Sequence, residues 1–134
     1  MHLTLRLPLL GALLLLGPAC DSGDDCETAG NICTWAGSRH AGFNGDDQQL
    51  SDARFYWPID MKITSTGDTY ILDWNNHKIR RLMDDGTLHT VVGTDFVGDG
   101  DYATNDLKQP GVMGTEINLN HPTQLLERPD GSLI

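Results

Sequence analysis

The sequence predicts an all-β fold, and three observations carry that prediction. From Ile32 onward, apolar residues fall in short or alternating runs separated by Gly, Pro, Asn and Asp. No helical period is sustained over about ten residues in that stretch. Two groups of such runs also repeat along the chain, a feature to establish before any architecture is assigned.

Ahead of those runs, the 134-residue chain opens with MHLTLRLPLLGALLLLGPAC. One base, Arg6, precedes an apolar run over residues 7–16, and small residues lead up to Cys20. This is export-signal architecture, and the run is too short for the ~20 residues a membrane-spanning helix needs. Residues 1–19 are therefore read as a signal peptide. Leu16-Gly17-Pro18-Ala19-Cys20 resembles a bacterial lipobox, although Gly17 stands where that motif usually has Leu. Cys20 is the expected lipidation site, which places the protein in the cell envelope with a lipid as its sole membrane attachment. The alternative is cleavage after the small-x-small pattern of Gly17 and Ala19, followed by plain secretion.

Cysteine parity agrees with lipidation. If Cys20 carries lipid, Cys26 and Cys33 remain as a pair in an oxidising compartment, where disulfides persist. Closing so short a loop contributes about 2 to 3 kcal/mol, chiefly by pinning a loose segment. The alternatives are two free thiols or a metal pair, and no His or Cys at zinc-like spacing completes a metal site. Residues 20–31 are acidic, Gly-containing and nearly free of apolar groups, the composition of a solvated tether.

The whole chain has 9 Lys and Arg against 19 Asp and Glu, a formal charge of −10. Residues 1–19 hold one base and no acid, so the exported chain has 8 bases against 19 acids and a charge of −11. Such a surface repels phosphate. The densest bases, Lys78, Arg80 and Arg81, lie on one predicted strand, where alternation sends neighbours to opposite sides, so nucleic acid is excluded as a partner.

Within the all-β region, Ile59, Met61 and Ile63 alternate with Asp60, Lys62 and Thr64, which predicts a strand with one buried face. Ser65-Thr66-Gly67-Asp68 supplies a tight turn, and residues 69–74 return. Residues 78–83 and 87–92 form a second pair across Asp84-Asp85-Gly86, whose Asp-Gly is a strong hairpin signal. Four antiparallel strands thus run in series.

The repeat has two offsets. Trp57-Pro58 recurs as His121-Pro122 and Gly67 as Gly131, each 64 positions on. Thr34-Trp35-Ala36-Gly37 recurs as Thr90-Val91-Val92-Gly93, 56 positions on, and Phe43-Asn44-Gly45-Asp46 is matched to Phe96-Val97-Gly98-Asp99. The difference is a longer connector in the second unit.

The segment WPIDMKITSTGDTYILDWNNHKIRRLMDDGTLHTVVG resembles the NHL repeat family, whose unit is a Pro-led strand, a Gly turn, an aromatic-aliphatic strand ending in Asp, an Asn-His-basic-Ile step and a Val-rich strand closing on Gly. Pro58, Gly67, Asp73, Asn76, His77, Ile79, Gly86, Val91 and Gly93 carry the resemblance. It implies an NHL-type β-propeller, with four-stranded antiparallel blades ringed around a channel. Residues 32–134 provide about two blades at roughly 40 to 60 residues each, short of the four or more that close a ring. The chain stops at Pro129-Asp130-Gly131-Ser132-Leu133-Ile134, a turn and the opening of a strand, so it is expected to be a fragment of a longer protein.

Each candidate site residue has a structural and a functional reading. In the resembled family His77 belongs to the structural signature, and an Asp-x-x-Asn-His turn uses side chains to satisfy backbone groups. The loops Gly45-Asp46-Asp47 and Gly98-Asp99-Gly100-Asp101 read as solvated turns, since neither has the spaced acidic ladder of a calcium loop. Tyr56 and Trp57 are candidate ligand contacts, with Phe55 beside them assigned to the core. Arg39 and His40 in the first connector, and Lys108 and Gln109 in the second, are candidate rim residues. No nucleophile elbow, metal triad or phosphate loop is present in the sequence, so no catalytic residue, metal or cofactor is expected.

The functional expectation is a binding scaffold for a protein or other extracellular ligand, presented by connectors on rigid strands. The alternative is a propeller enzyme of the peptide-amidating-lyase or hydrolase kind. The resemblance implies a site gathered from several blades in that case, of which two are visible.

Overall fold

In a computed structural model, residues 26, 28–98, 100–101 and 111–134 are described. The signal segment, Cys20, most of the tether, Asp99, Lys108 and Gln109 lie outside the described residues. The chain divides into two units between Cys33 and Thr34. In the first, Cys26 and Cys33 are joined by a disulfide with Cα atoms 5.8 Å apart.

The second unit is all-β. Its strands are β1 (Gln48–Gln49), β2 (Pro58–Ile63), β3 (Thr69–Asp73), β4 (Lys78–Leu82), β5 (Thr87–Val92), β6 (Gly100–Asp101) and β7 (Ile117–Asn118). The first five form one open antiparallel sheet in the order β1-β5-β4-β3-β2, and β6 pairs with β7. Among the described residues there is thus one five-stranded sheet and a two-stranded ladder, where the sequence predicts about two four-stranded blades. The added strand, β1, comes from the first connector and pairs through Gln48↔Leu88 and Gln49↔Thr87.

Turn chemistry fixes the serial hairpins. Between β2 and β3, the Thr64 N–H donates to Asp68 O at 2.9 Å and the Gly67 N–H to Thr64 O at 3.0 Å, with Gly67 at φ 92. Between β4 and β5, the Met83 N–H donates to Thr87 O at 2.8 Å, and the Asp85 carboxylate accepts both the Thr87 N–H and its hydroxyl. Between β3 and β4, Trp74–Asn76 forms a single 3₁₀ turn that ends on His77 in the left-handed region.

Adjacent residues of β3 point to opposite faces, and each face has its own core. Ile71 and Leu88 pack with Ala53, joined by Leu50, Phe55 and Leu82. Leu72 and Ile79 pack with Leu125, joined by Tyr70, Val91, Val92, Leu119 and Leu133. The first core is completed from the connector before β2 and the second from the segment after β7. Full burial of each large aliphatic side chain contributes about 1.5 to 3 kcal/mol.

The alternation in β2 marks one face, but that face is open. Ile59 and Met61 are each 49% exposed and Ile63 is 60% exposed. β2 lies at the edge of the sheet, and its opposite face, through Asp60, receives the Leu125 N–H at 3.1 Å. A period of two shows that a strand has two faces; which one is covered depends on tertiary packing.

The hydrogen bonding repeats as well as the sequence. Gly37 N–H donates to Leu50 O at 2.9 Å, and Gly93 N–H donates to Gly114 O at 3.0 Å. Ala41 bridges Phe55, and Val97 bridges Leu119, both parallel. The Thr64 to Asp68 turn recurs as Arg128 N–H to Ser132 O at 2.8 Å, and Gly67 N–H to Thr64 O recurs as Gly131 N–H to Arg128 O. First partners before the long connector are offset by 56 and partners after it by 64. One match needs correction: Val97-Gly98 is equivalent to Ala41-Gly42, not to Asn44-Gly45. The aromatic-to-Asp similarity of 43–46 and 96–99 is a coincidence of composition three residues out of register.

Candidate functional site

A continuous row of rings crosses the end of the sheet where β3 turns into β4. Tyr56 meets Trp57 edge-on with centroids 6.0 Å apart. Trp57 stacks on Trp74 at 5.9 Å, Trp74 tilts against His121 at 4.4 Å, and His121 meets His77 edge-on at 4.4 Å. Trp57 is 68% exposed and Tyr56 39%, whereas His77 is buried. The row therefore runs from solvent at Trp57 to a buried foot at His77.

Backbone strain is concentrated in this row. Trp57, His77 and His121 sit at φ 53, 54 and 50, in a region that bulky residues rarely adopt. Trp57 and His121 also precede Pro58 and Pro122, and the proline ring disfavours helical conformations in the residue before it. Each such residue costs on the order of 1 to 3 kcal/mol and persists only where surrounding contacts over-determine it.

Those contacts form a polar lattice under the row. The Asp73 carboxylate accepts the Tyr56 N–H and the Asn76 amide, both at 2.8 Å. Asn76 also donates to Gly42 O at 2.8 Å, and the Asn75 N–H donates to Tyr56 O at 3.0 Å. The His77 N–H donates to Trp74 O, and its Nδ1 accepts the His121 N–H at 3.1 Å. Burial pushes the Asp73 carboxyl up, against the pull of Asn76, the Tyr56 N–H and Arg80. Burial, then the neighbouring His121 ring, pushes His77 below the ordinary histidine value.

Other signature residues serve the same turn. Pro58 pairs opposite Asp73, Ile79 is buried in the second core, and Gly86 turns β4 into β5 at φ 84. Gly93 is held at φ 105, and a Cβ there would stand 2.2 Å from His77 O. The three neighbouring cations are all engaged. Lys78 Nζ donates to Thr94 O and Asp95 at 2.9 Å, Arg81 meets Asp68 at 2.6 Å, and Arg80 is fully buried between the Phe43 and Phe55 rings.

Of the other sequence candidates, Arg39, His40 and Trp57 line one open groove of about 390 Å³, with Thr34, Ser38 and Pro58. Arg39 adopts φ 65, and His40 Nδ1 lies 3.0 Å from Ser38 O. Tyr56 joins this group through the Trp57 ring. The first Asp-rich loop differs from the solvated turn that the sequence predicts. Asp46 accepts the Thr90 N–H and hydroxyl at 2.9 and 2.8 Å, while Asp47 lies 2.8 Å from His89 Nε2. Among the described residues, no group of three or more His, Cys, Asp or Glu is placed to hold a metal.

Trp74 and His121 belong to the site, yet the sequence does not single them out. His121 carried a usable signal, since it occupies the Trp57 position of the second repeat. Trp74 reads in the sequence as the last residue of the returning strand, whereas the strand ends at Asp73 and Trp74 opens the turn. Chemically, the row offers flat apolar faces, and the groove adds one guanidinium and one imidazole. Comparison of the chain with protein-family models and with curated proteins finds no match to either.

Proposed function

We propose that residues 34–134 belong to an NHL-type β-propeller and that its exposed ring row is a contact surface for a protein or other extracellular ligand. The observation that carries the functional reading is the open face of Trp57, held out by a strained backbone at the head of the row and bordering the groove with Arg39 and His40. Strained residues cluster at ligand-contact sites, and exposed Trp, Tyr and Arg side chains are the commonest energetic anchors of interfaces.

Two features support the propeller reading. The hydrogen bonds repeat at the same offsets as the sequence, and segments of the preceding and following repeats cover opposite faces of the sheet. Blades stacked around a ring bury their faces in that way. The export signal and Cys20 complete the proposal, tethering the scaffold to the cell envelope by lipid.

The test is a pull-down from native envelope with the Trp57→Ala protein, folding being checked by circular dichroism. An interface anchor of this kind contributes about 2 kcal/mol or more, so partner recovery should fall steeply at unchanged secondary structure. Unchanged recovery refutes the contact reading. Intact mass spectrometry of membrane-extracted protein should show acyl mass on Cys20, and an unmodified secreted product rejects the anchor.

A further inference from the structure

We propose that His77 is a proton-operated latch, holding His121, and through it the exposed ring row, in place only while its imidazole is neutral. The inference concerns regulation of the contact surface proposed above and rests on that reading for its biological meaning. Its physical basis is independent of any ligand.

The latch is one hydrogen bond between repeats. His77 stands at the β3–β4 turn of the first repeat and His121 at the opening of the second, 44 positions later, with the His121 N–H donating to His77 Nδ1 at 3.1 Å. An accepting Nδ1 bears no proton, so the neutral ring carries its proton on Nε2. Protonation places a hydrogen on Nδ1, and two donors then face each other where a bond had been. It also sets a cation against the His121 ring, whose centroid is 4.4 Å away.

The surroundings offer the new charge no compensation. Its own turn, Trp74–Asn76, carries no charged side chain. At the end of β3, the Asp73 carboxylate is committed to the Tyr56 N–H, Asn76 and Arg80. On β4, Lys78 is itself a cation and is spent on Thr94 O and Asp95. The chain after β5 presents Gly93, and the second repeat presents His121, a further titratable base. Burial and His121 both disfavour the charged form, which puts the transition on the acid side of the ordinary histidine range.

Release would propagate along the row. His121 is held in a strained backbone conformation at φ 50, and loss of its N–H acceptor removes one of the contacts that keep it there. Trp74 leans on His121 at 4.4 Å, and Trp57 stacks on Trp74 at 5.9 Å. Acidification should therefore rearrange the very rings that solvent and a ligand meet.

The experiment is an NMR titration of the ligand-free chain from neutral to mildly acidic pH, following both imidazoles, the His121 amide and the indole N–H groups of Trp57 and Trp74. The expected result is that the His121 amide and both indoles shift with the midpoint of His77, and that in His121→Asn, which keeps the backbone N–H but lacks the ring that Trp74 leans on, the residue-121 amide keeps this transition while the indoles lose it. It should vanish in His77→Gln. Indoles that stay fixed through the His77 titration of the wild-type chain overturn the proposal, as does a residue-121 amide whose transition disappears in His121→Asn. Because no ligand is present, failure here leaves the contact surface standing, and a failed pull-down leaves the latch standing.

Discussion

Asp73 Oδ2 lies 3.7 Å from Arg80 Nη1, and both side chains are wholly excluded from solvent. The pair is too long for a hydrogen bond and acts through charge; the guanidinium instead donates to Arg54 O at 3.0 Å and Gly45 O at 3.2 Å. Arg80 thereby ties the connector before β2 to the middle of the sheet, while Asp73 ties Tyr56 to the turn that bears the ring row. Removing one partner of a buried pair leaves the other uncompensated, at a cost of about 3 to 5 kcal/mol. Asp73→Asn should destabilise the chain on that scale by chemical denaturation. A double variant that also carries Arg80→Met should recover part of the loss.

Gly93 makes the second prediction. Its φ of 105 and the proximity of His77 O, 2.2 Å from an added Cβ, leave a side chain no room against rigid backbone. Gly93→Ala should cost about 1 to 3 kcal/mol from conformation alone, and more from the clash. By contrast, Gly67 has open space around its Cβ position, so Gly67→Ala should show the conformational cost alone. Paired melts that lower stability equally would disprove the close approach.

The contact between repeats at the other end of the sheet is pH-sensitive in a defined direction. Glu127 accepts the Ser65 hydroxyl at 2.6 Å and the Ser65 N–H at 3.1 and 3.0 Å. Those bonds, the hydroxyl first, hold its carboxyl below the ordinary glutamate value. A depressed folded-state pKa means that the contact stabilises above the ordinary glutamate range and is lost as pH falls through the folded value. The Ser65 amide resonance should therefore titrate in acid and should cease to do so in Glu127→Gln. A Ser65 amide that ignores pH in the wild-type chain would remove the clamp.

Much of the fold is legible in the sequence because local chemistry decides it. The bounds of β5 coincide with residues 87–92, and β2 to β4 differ by one residue at their ends, since Gly67, Gly86 and the Asp-Gly step punctuate them. β1 escapes notice because Gln48-Gln49 has neither apolar alternation nor β-branched residues; its partner, β5, creates it. Arg80 reads as one base among three on a strand, and only tertiary packing between Phe43 and Phe55 makes it a core residue. The site is legible in part for the same reason. Arg39, His40 and Trp57 could be named from their connectors, but the row needs Trp74 and His121, which meet Trp57 and His77 across 17 and 44 positions of chain respectively.

Met61 and Leu125 provide the last prediction, because they are the same position in successive repeats, 64 residues apart. Leu125 is 6% exposed and packs on Leu72 and Ile79, whereas Met61 is 49% exposed on the open face of β2. Truncating a buried Leu to Ala costs about 2 to 5 kcal/mol, while a surface change of this kind usually stays within about 0.5 kcal/mol. Leu125→Ala should therefore be strongly destabilising and Met61→Ala close to neutral. The comparison controls for residue size and repeat position, leaving coverage of the face as the variable. Should Met61→Ala cost as much as Leu125→Ala, the open face of β2 is covered in solution, and the asymmetry between the two repeats is not a property of the folded chain.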